Sequence, residues 1–362
     1  MIISSVFKMN KQAFHNLRIQ SIEKETEGSS RIKFSLPDKL LDQFNFKAGQ
    51  YISIKFEMKK KTHIRTYSIS SEPDKNFIEI GVKHIKNGMF SKFLKTKNLE
   101  DIIQISNPEG NFVLNSKELS RLLLIAAGSG ITPMVSILKS LLRKNMQTKV
   151  TLLYSNKTYA DMMYRDEIQN LKDKYLDRLV VFNFFSQEIQ STDFLNGRIT
   201  EEKMAFLSER NLIDIRTIDQ CFICGPMEMT KTLGSYLKER GLSEKKIKTE
   251  LFYVTESKRT NSRSKNFGTS ESKIEVLIDG SKKIFYMNKN DDFIEKATKN
   301  GISVPYSCKN GMCATCRCKV SSGEVIMRKN FSLEDWEIKK GFMLSCQLEP
   351  VDKEICLDFD II

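Results

Sequence analysis

Three closely spaced cysteines constrain this chain of 362 residues more than any other feature. Cys308, Cys313 and Cys316 follow the pattern C-x4-C-x2-C, and Cys346 lies further along the chain. This is the ligand pattern of a plant-type [2Fe–2S] cluster, which one loop wraps with its thiolates pointing inward. Gly311, inside the loop, accepts the backbone angles that such a tight loop requires. The pattern predicts a cluster bound by the four cysteines, and therefore electron transfer.

Two other uses of cysteine fit the pattern less well. A zinc site more often shows paired C-x-x-C knuckles, and a disulfide framework is typical of small secreted chains. We expect Cys221, Cys224, Cys318 and Cys356 to be free thiols. Cys318, two residues after Cys316, is not counted as a ligand.

Composition favours a soluble chain of several domains. Hydrophobic residues make up 40% of the sequence, which is enough for real cores, and the length predicts two to three domains. A stretch of about 18 apolar residues, long enough to cross a bilayer, occurs nowhere. The first residues also lack the layout of a signal peptide. We therefore expect a cytoplasmic protein without membrane insertion.

The net charge of +13 is not gathered in one nucleic-acid-binding stripe. Residues 273–362 contain equal numbers of basic and acidic side chains, so the whole excess lies in residues 1–272. In that part the lysines are scattered among acids. This distribution predicts a lysine-rich surface with some attraction for phosphate-bearing cofactors, and no nucleic-acid partner.

Residues 10–117 predict a first domain made of strands. Alternating apolar and polar side chains over residues 12–56, and strand-like segments at 63–71 and 77–85, indicate short strands joined by turns. Many strands with little helix are typical of a small antiparallel β-barrel.

From residue 118 the pattern changes. Residues 121–127 are a fully apolar segment, typical of a strand in a parallel sheet, and three more strands then alternate with helices. This order predicts a doubly wound α/β domain at residues 118–254. Residues 255–272 have almost no apolar side chains and predict a solvated linker. Residues 273–362 would form the cluster-bearing domain.

Two segments of the predicted barrel suit a ligand with a flat ring and phosphates. Arg65–Ser68, with the sequence Arg-Thr-Tyr-Ser, offers an arginine for phosphate, an aromatic face for stacking and a hydroxyl for a ring nitrogen. Alone, an aromatic residue in a strand is more often part of the core. Gly88–Ser91 adds a glycine turn and first-turn amides that suit a diphosphate.

Two segments of the predicted α/β domain suit a nucleotide. Gly128–Gly130 stands between strand and helix without completing the G-x-G-x-x-G fingerprint, and alone it could equally be a tight turn. The following Thr132 and Pro133 favour the nucleotide, because proline suits the first helical turn and open amides can face a phosphate. Cys224–Pro226 ends a later strand, where ligands bind in such sheets, although Cys224 could also be an inert buried thiol.

The chain resembles the ferredoxin–NADP⁺ reductase superfamily with a C-terminal plant-type ferredoxin domain. The resemblance is carried, in this order, by Arg65–Ser68, Gly128–Pro133, Cys224–Pro226 and the four cysteines. The resemblance covers nearly the whole chain. Residues 154–158, 163–167 and 313–317 are most similar to the reductase subunits of phenylacetyl-CoA epoxidases. The resemblance implies an antiparallel FAD-binding barrel, a doubly wound NAD(P)-binding α/β domain and a β-grasp ferredoxin domain.

The resemblance also implies the roles of individual residues. Those implied as catalytic are Tyr67, Ser68 and Cys224. The diphosphate contact favours FAD over FMN. The residues implied to bind FAD are Arg65, Thr66, Tyr67, Ser68, Val82, Lys83, His84, Gly88, Met89, Phe90 and Ser91. Those implied to bind NAD(P)H are Gly128, Gly130, Thr132, Pro133, Ser155, Asn156, Lys157, Cys224, Gly225 and Pro226. The cluster ligands are Cys308, Cys313, Cys316 and Cys346.

The choice between NADPH and NADH depends on the residues after the second strand of the α/β domain. Ser155, Lys157 and Arg165 are candidates to contact a 2′-phosphate, and no acid precedes Asp161 there. The family often has glycine at position 155 and arginine at 157. We expect NADPH, with NADH possible, although Lys157 and Arg165 could simply cap a solvated helix.

Together these features predict an NAD(P)H-dependent flavoprotein oxidoreductase. It would pass electrons from NADPH through FAD and the [2Fe–2S] cluster singly to an external acceptor. The resemblance implies a di-iron oxygenase, such as phenylacetyl-CoA epoxidase, as that acceptor. One alternative is a general NAD(P)H–ferredoxin reductase for other acceptors. Another is a redox sensor, but the flavin and nucleotide motifs argue against a sensor.

Overall fold

The computed structural model describes residues 13–361 except 59–60, 87, 115–118, 145–146, 253–270, 307–308, 310, 312 and 334. The chain divides into two compact units. One is drawn mainly from Phe14–His63 and Tyr67–Thr255, and the other mainly from Glu256–Ile362. The first unit contains the predicted barrel and the predicted α/β fold, and the second contains the cluster-bearing fold.

The N-terminal fold is an antiparallel barrel. Its elements are β1 (Phe14–Thr26), β2 (Ser29–Ser35), β3 (Tyr51–Met58), β4 (Lys61–Ser68), β5 (Phe77–Lys83), α1 (Met89–Leu94) and β6 (Ile102–Ser106). The strand order is β4-β3-β6-β1-β2-β5. Ile69, directly after β4, pairs with Ile80 of β5 and so joins the two edges. Alternate side chains such as Leu17, Ile19 and Ile32 fill the interior, because successive strand residues point to opposite faces.

The second fold is a five-stranded parallel sheet between helices. Its elements are β7 (Arg121–Ala127), α2 (Ile131–Lys144), β8 (Lys149–Asn156), α3 (Arg165–Lys174), β9 (Leu179–Phe185), α4 (Glu201–Glu209), β10 (Gln220–Gly225), α5 (Met227–Glu239) and β11 (Ile247–Leu251). The strand order is β11-β10-β7-β8-β9. The order in which the chain adds strands to the sheet reverses between β7 and β10. The carboxyl ends of these two strands therefore flank the crevice where ligands bind in such folds.

The two faces of this sheet are both buried. Leu122 and Leu124 of β7 pack with α2 and α3 on one side. Leu123 and Ile125 pack with α4 and α5 on the other. This is why β7 is apolar throughout instead of alternating, as expected of a parallel strand covered on both faces.

The C-terminal fold is a small mixed sheet packed on one helix. Its elements are β12 (Ser272–Ile278), β13 (Ser281–Met287), α6 (Phe293–Lys299), β14 (Arg317–Ser322), β15 (Val325–Met327), α7 (Asp335–Lys339), β16 (Phe342–Leu344), β17 (Leu348–Pro350) and β18 (Glu354–Asp358). The strand order is β13-β12-β18-β14-β16, with β12 and β18 parallel. Phe293, Ile294 and Ala297 of α6 fill the core. The predicted three-part fold class is confirmed.

Most of the predicted linker, residues 255–272, lies outside the described residues, and Ser272 already begins β12. In the described part of the chain, no helix is both long enough and apolar enough to span a bilayer.

Candidate active site and cluster-binding loop

Three side chains meet where the barrel packs on the parallel sheet. Ser68 ends β4, Cys224 lies in β10, and Glu250 pairs with Cys224 in the neighbouring strand β11. The Ser68 hydroxyl donates to Oε2 of Glu250 at 3.1 Å, and Sγ of Cys224 lies 4.0 Å from the same oxygen. A hydroxyl, a thiol and a carboxyl from strands far apart in the sequence therefore converge on one point.

Burial sets the protonation of this site. The Glu250 carboxyl is enclosed by protein, although the residue as a whole keeps partial exposure. Its burial raises the pKa of the carboxyl to about 7, while the Ser68 hydrogen bond opposes that shift. Burial, and then the nearby Glu250, raises the pKa of the Cys224 thiol well above its usual value. The thiol therefore stays protonated, and the carboxyl changes charge near neutral pH.

Sequence reasoning missed Glu250, because β11 was not predicted. The segment Ile247–Leu251 is short and only partly apolar. Its signal is position: it follows α5 in an α/β alternation, so one more parallel strand is expected there. The carboxyl end of such a strand falls at the same sheet edge as Cys224.

The predicted flavin residues on β4 lie in sequence before Ser68. Tyr67 is partly buried, and its ring centroid lies 4.8 Å from that of Phe90, which supports it from the barrel core. Arg65 and Thr66 precede it and keep partial exposure. A partly exposed aromatic ring supported from behind fits a flat heterocycle stacked on its other face.

The predicted diphosphate segment forms a tight turn before α1. The amide of Gly88 donates to the carbonyl of Ile85 at 2.8 Å, and the Ile85 amide donates to Oγ of Ser91 at 3.1 Å. Met89 begins the helix. The side chain of Phe90 is buried in the barrel core, so only its backbone could contact a cofactor.

The end of β5 carries the other predicted flavin residues. Val82 is also a core residue. Nε2 of His84 lies 3.0 Å from Oγ of Ser30, and burial lowers the pKa of this imidazole. The Lys83 side chain instead extends toward the nucleotide loop. Its Nζ would lie 3.4 Å from a Cβ placed on Gly128.

The predicted nucleotide loop follows β7. Gly128 has a φ of +53°, in the left-handed region that favours glycine. A Cβ at Gly130 would lie 2.2 Å from the carbonyl oxygen of Cys224, so the loop touches the backbone of β10. The Thr132 hydroxyl donates to the carbonyl of Ser129 at 3.0 Å. The loop thus lies at the crevice between β7 and β10.

The remaining predicted nucleotide residues lie at three places along this edge. Pro133 is buried in the first turn of α2. Gly225 ends β10, and Pro226 is the N-cap of α5. Ser155 and Asn156 end β8 and are buried, whereas the neighbouring Lys157 is exposed. The structure therefore brings these predicted residues to the carboxyl edge of one sheet.

Beyond β8, a second cation lies near Lys157 in sequence. The guanidinium of Arg165 lies 4.7 Å from the ring centroid of Tyr159, and its Nε pairs with Asp166 at 3.0 Å. Arg165 is the first residue of α3, because Ala160–Tyr164 are not helical.

Buried polar contacts hold the barrel against the nucleotide fold. The Tyr164 hydroxyl donates to Oγ of Ser70 at 2.8 Å, and its amide donates to Glu25 at 2.5 Å. The same Glu25 pairs with Arg31 at 2.6 Å. Hydrogen bonds and ion pairs that are buried or partly buried restrict the relative positions of the elements that they join. This joint explains how Ser68 can be held beside Cys224.

The described cluster cysteines come together in the C-terminal unit. Cys313 and Cys316 are buried, and Cys346 is partly buried. The Cys316 thiol donates to Cys346 and thereby lowers the pKa of the Cys346 thiol. Cys308 lies outside the described residues.

The loop that carries these cysteines has the shape that a wrapped core requires. Lys309, Gly311 and Ala314 all have positive φ, at +54°, +77° and +50°. A Cβ at Gly311 would lie 2.8 Å from the carbonyl oxygen of Lys329. Nε2 of Gln347 donates to the carbonyl of Lys309 at 3.0 Å. The loop is therefore tightly turned and braced by its neighbours.

The donor set consists of thiols, which is the donor type that a [2Fe–2S] cluster uses. A [2Fe–2S] cluster divides four thiolates between two irons. Two buried thiols in one tightly turned loop, Cys313 and Cys316, with the half-buried Cys346 brought beside them, are consistent with that use.

Comparisons with known proteins agree with this geometry. The family model for an oxidoreductase FAD-binding domain matches residues 16–114. The model for an oxidoreductase NAD-binding domain matches residues 124–234. The model for a 2Fe-2S iron-sulfur cluster binding domain matches residues 276–351. The predicted cofactor classes, FAD, a pyridine nucleotide and a [2Fe–2S] cluster, are confirmed.

Individual relatives extend over the whole chain. One subunit of 1,2-phenylacetyl-CoA epoxidase from Escherichia coli strain K12 is 37% identical over 96% of this chain and 98% of the relative. The ferredoxin reductase component of 3-ketosteroid-9-alpha-monooxygenase from Rhodococcus rhodochrous is 27% identical over 95% and 96%. The solved structure of phthalate dioxygenase reductase covers 96% of this chain and 98% of its own, with a TM-score of 0.62 and 22% identity.

The three matches fall in the order barrel, nucleotide fold and cluster fold, as the sequence predicts. The prediction of an NAD(P)H-dependent flavoprotein oxidoreductase is confirmed. The chain belongs to the ferredoxin–NADP⁺ reductase superfamily with a C-terminal plant-type [2Fe–2S] domain, in the group that includes this phenylacetyl-CoA epoxidase component.

Proposed function

We propose that this reductase oxidises NADPH and delivers the electrons singly to a di-iron oxygenase of the phenylacetyl-CoA epoxidase type. The convergence of Ser68, Cys224 and Glu250 at the junction of the flavin and nucleotide folds carries the proposal. The identity of 37% with an epoxidase component over nearly the full length supports the class of acceptor.

Bound FAD would accept a hydride and release single electrons, and the cluster would carry them onward. The chain supplies the positions and the protons. Tyr67 would stack on the flavin ring, and Ser68 would hold its hydroxyl at the ring edge while bonded to Glu250. Cys224, neutral and buried, would pack beside the nicotinamide. The enclosed site would also keep water from the transferred hydride.

The placement of two cations supports NADPH as the donor. Lys83 extends to Gly128, so we assign its amine to the diphosphate of the pyridine nucleotide instead of the flavin side chain. Lys157, exposed directly after Ser155 and Asn156, is suited to a 2′-phosphate. A relative at 28% identity is nevertheless named NADH oxidoreductase HCR, so the ratio of the two activities needs measurement.

The domain limits and the compartment belong to the same proposal. We place the FAD domain at 10–117, the nucleotide domain at 118–254, the linker at 255–272 and the ferredoxin domain at 273–362. The seven described cysteines form no disulfide. Free thiols and a cluster suit a reducing compartment, which supports the cytoplasm.

Anaerobic reduction tests the core of the proposal. The protein, loaded with FAD and cluster, is mixed with NADPH under argon while flavin and cluster absorbance are recorded. Both should bleach, the flavin first. Persistence of both absorbances would disprove the reductase function.

A coupled assay tests the acceptor. Adding the oxygenase subunits of phenylacetyl-CoA epoxidase, phenylacetyl-CoA and oxygen should give NADPH consumption that matches epoxide formation. Relatives also serve a ketosteroid monooxygenase and a glycine betaine monooxygenase, so a general reductase for other acceptors is the second candidate. Reduction of unrelated ferredoxins as fast as the oxygenase would favour that candidate.

A further inference from the structure

The single tryptophan of the chain is held at the surface of the cluster-bearing unit. Trp336 lies in α7 and is 50% exposed. Scattered apolar side chains at a surface need no explanation. Tryptophan, however, is enriched at the centres of protein interfaces, where it buries a large area at low entropy cost.

Helix α7 is fixed to the cluster loop on both sides. Its buried Glu337 forms an ion pair with Arg317, the residue that directly follows Cys316. Before the helix, the amide of Phe331 donates to the carbonyl of Gly311 at 3.0 Å. A protein that touched Trp336 would therefore contact a helix that is attached directly to the segment that carries the cluster ligands.

The charges around Trp336 favour a partner of one sign. Lys339 and Lys340 are exposed, and Nζ of Lys340 lies 5.0 Å from the centroid of the Trp336 ring. Within the described residues, neither lysine has a carboxylate at ion-pair distance. Asp335 is the exposed acid of this part of α7. Other basic residues of the same unit are paired with acids, as Lys289 and Arg328 are with Glu349.

We propose that Trp336, Lys339 and Lys340 form the docking surface for an acidic face of the electron-accepting protein. The indole would anchor the complex, and the lysines would steer its approach. One electron then leaves this protein and reduces the acceptor, with no proton or bond exchanged. The inference rests on the proposed function in that it requires a protein acceptor.

Two haem proteins of opposite charge can serve as probes. Cytochrome b5 is acidic and cytochrome c is basic, and in each the electron converts ferric to ferrous haem. We expect Trp336→Ala, and separately the double variant Lys339→Glu/Lys340→Glu, to slow cytochrome b5 reduction about tenfold or more. The wild-type rate should fall as salt is added, and the double variant should lose most of that dependence. It should also reduce cytochrome c faster than the wild type does.

Matched controls come from the same unit. Tyr286 is 54% exposed on β13, the edge of the sheet farthest in strand order from β14 and β16, so Tyr286→Ala should leave the rate unchanged. Lys299→Glu/Lys353→Glu makes the same charge change at other exposed lysines. Trp336→Phe should restore most of the rate if an apolar ring is the anchor.

Reduction by NADPH distinguishes a role in docking the acceptor from a role in electron transfer within the protein. Under argon, NADPH should reduce flavin and cluster at wild-type rates in every variant. Slower cluster reduction in Trp336→Ala would overturn the proposal, because the surface would then serve delivery of electrons to the cluster. Equal cytochrome b5 rates in the wild type and both variants would overturn it as well. The cytochrome step can be started from dithionite-reduced protein, so it tests the surface even if NADPH fails to bleach the wild type and the proposed function is lost.

Discussion

The two redox sites of this chain are built in opposite ways. Ser68 and Glu250 meet across 182 positions of sequence, and Cys224 joins them only because β10 and β11 pair in register. The cluster site is largely local: a short turned loop brings Cys313 and Cys316 together, and Cys346 alone comes from elsewhere. The first site depends on the packing of two folds, and the second depends on the shape of one loop.

The chemistry of the two sites differs in the same way. Around Glu250 the groups hold protons, and one of them changes charge near neutral pH. The cluster loop presents thiols, and the donor hydrogen bond from Cys316 favours the thiolate at Cys346. A site that receives a hydride needs positioned proton-bearing groups, whereas a site that carries one electron needs only metal ligands and access. Changes at one site should therefore leave the other working.

The largest expected effect is loss of the cluster in Cys346→Ser. Removing one thiolate from four should abolish or badly destabilise the [2Fe–2S] centre, because a neutral hydroxyl is a poor replacement for a thiolate ligand. FAD should remain bound, and NADPH should still reduce ferricyanide through it. Visible absorption and electron paramagnetic resonance measure the cluster. Cys356→Ser, at a partly exposed cysteine outside the loop, is the control, and an intact cluster in Cys346→Ser would mean that the fourth ligand is another residue.

The difference between a local loop and a site assembled by packing explains which features could be predicted from the sequence. The cysteine spacing, the strand-to-helix turn at Gly128 and the Arg65–Ser68 segment are local patterns, and each lies where a local reading places it. Glu250 could not be found that way, because its role depends on the register of a short edge strand. The direction of Lys83 was also out of reach, since it is set by how the barrel packs on the loop at Gly128.

The next largest effect is expected for Gly130→Ala, which tests the contact between the nucleotide loop and β10. The new Cβ would lie 2.2 Å from the Cys224 carbonyl, so backbone must move at the hydride site. We expect loss of nearly all NADPH-driven flavin reduction, measured by stopped-flow absorbance, with the cluster spectrum retained. In the control Gly234→Ala, no atom lies within 4 Å of the new Cβ, and helix α5 should gain roughly 0.5–1 kcal/mol. Normal flavin reduction in Gly130→Ala would disprove the tight approach.

A smaller effect, about 100-fold on the rate of flavin reduction, is expected for Glu250→Gln, because the amide cannot donate a proton as the carboxylic acid can. Only the protonated carboxyl is such a donor, so the wild-type rate should fall as the pH rises through about 7. The glutamine variant cannot ionise, and its profile should be flat in that range. Stopped-flow bleaching between pH 5.5 and 8.5, roughly two units around this pKa, measures both. A variant that keeps the wild-type pH profile would show that another group titrates.

The same carboxyl predicts a change in stability. Its folded pKa of about 7 lies above the usual value for glutamate, about 4.3, so the folded state binds the proton more tightly than the unfolded state. The stability that this group contributes is present below about pH 4 and is lost as the pH rises through about 7. Urea unfolding followed by flavin fluorescence should show this fall in the wild type and a smaller one in Glu250→Gln. An equal fall in both proteins would place the titration elsewhere.

The smallest expected effect concerns the choice between NADPH and NADH. It tests one side chain, Lys157, which directly follows β8. If Lys157 makes a charge-assisted hydrogen bond to a 2′-phosphate, worth about 1.5–3 kcal/mol, Lys157→Asp should lower the ratio of NADPH to NADH activity about tenfold or more. The rate with NADH and the cluster spectrum should change little, because Lys157 is exposed and lies beyond the buried end of β8. Lys149→Asp makes the same charge change at the opposite, exposed end of that strand, so its ratio of kcat/KM values should equal that of the wild type. An unchanged ratio in Lys157→Asp would instead assign the 2′-phosphate to another cation, with Arg165 over Tyr159 as the next to test.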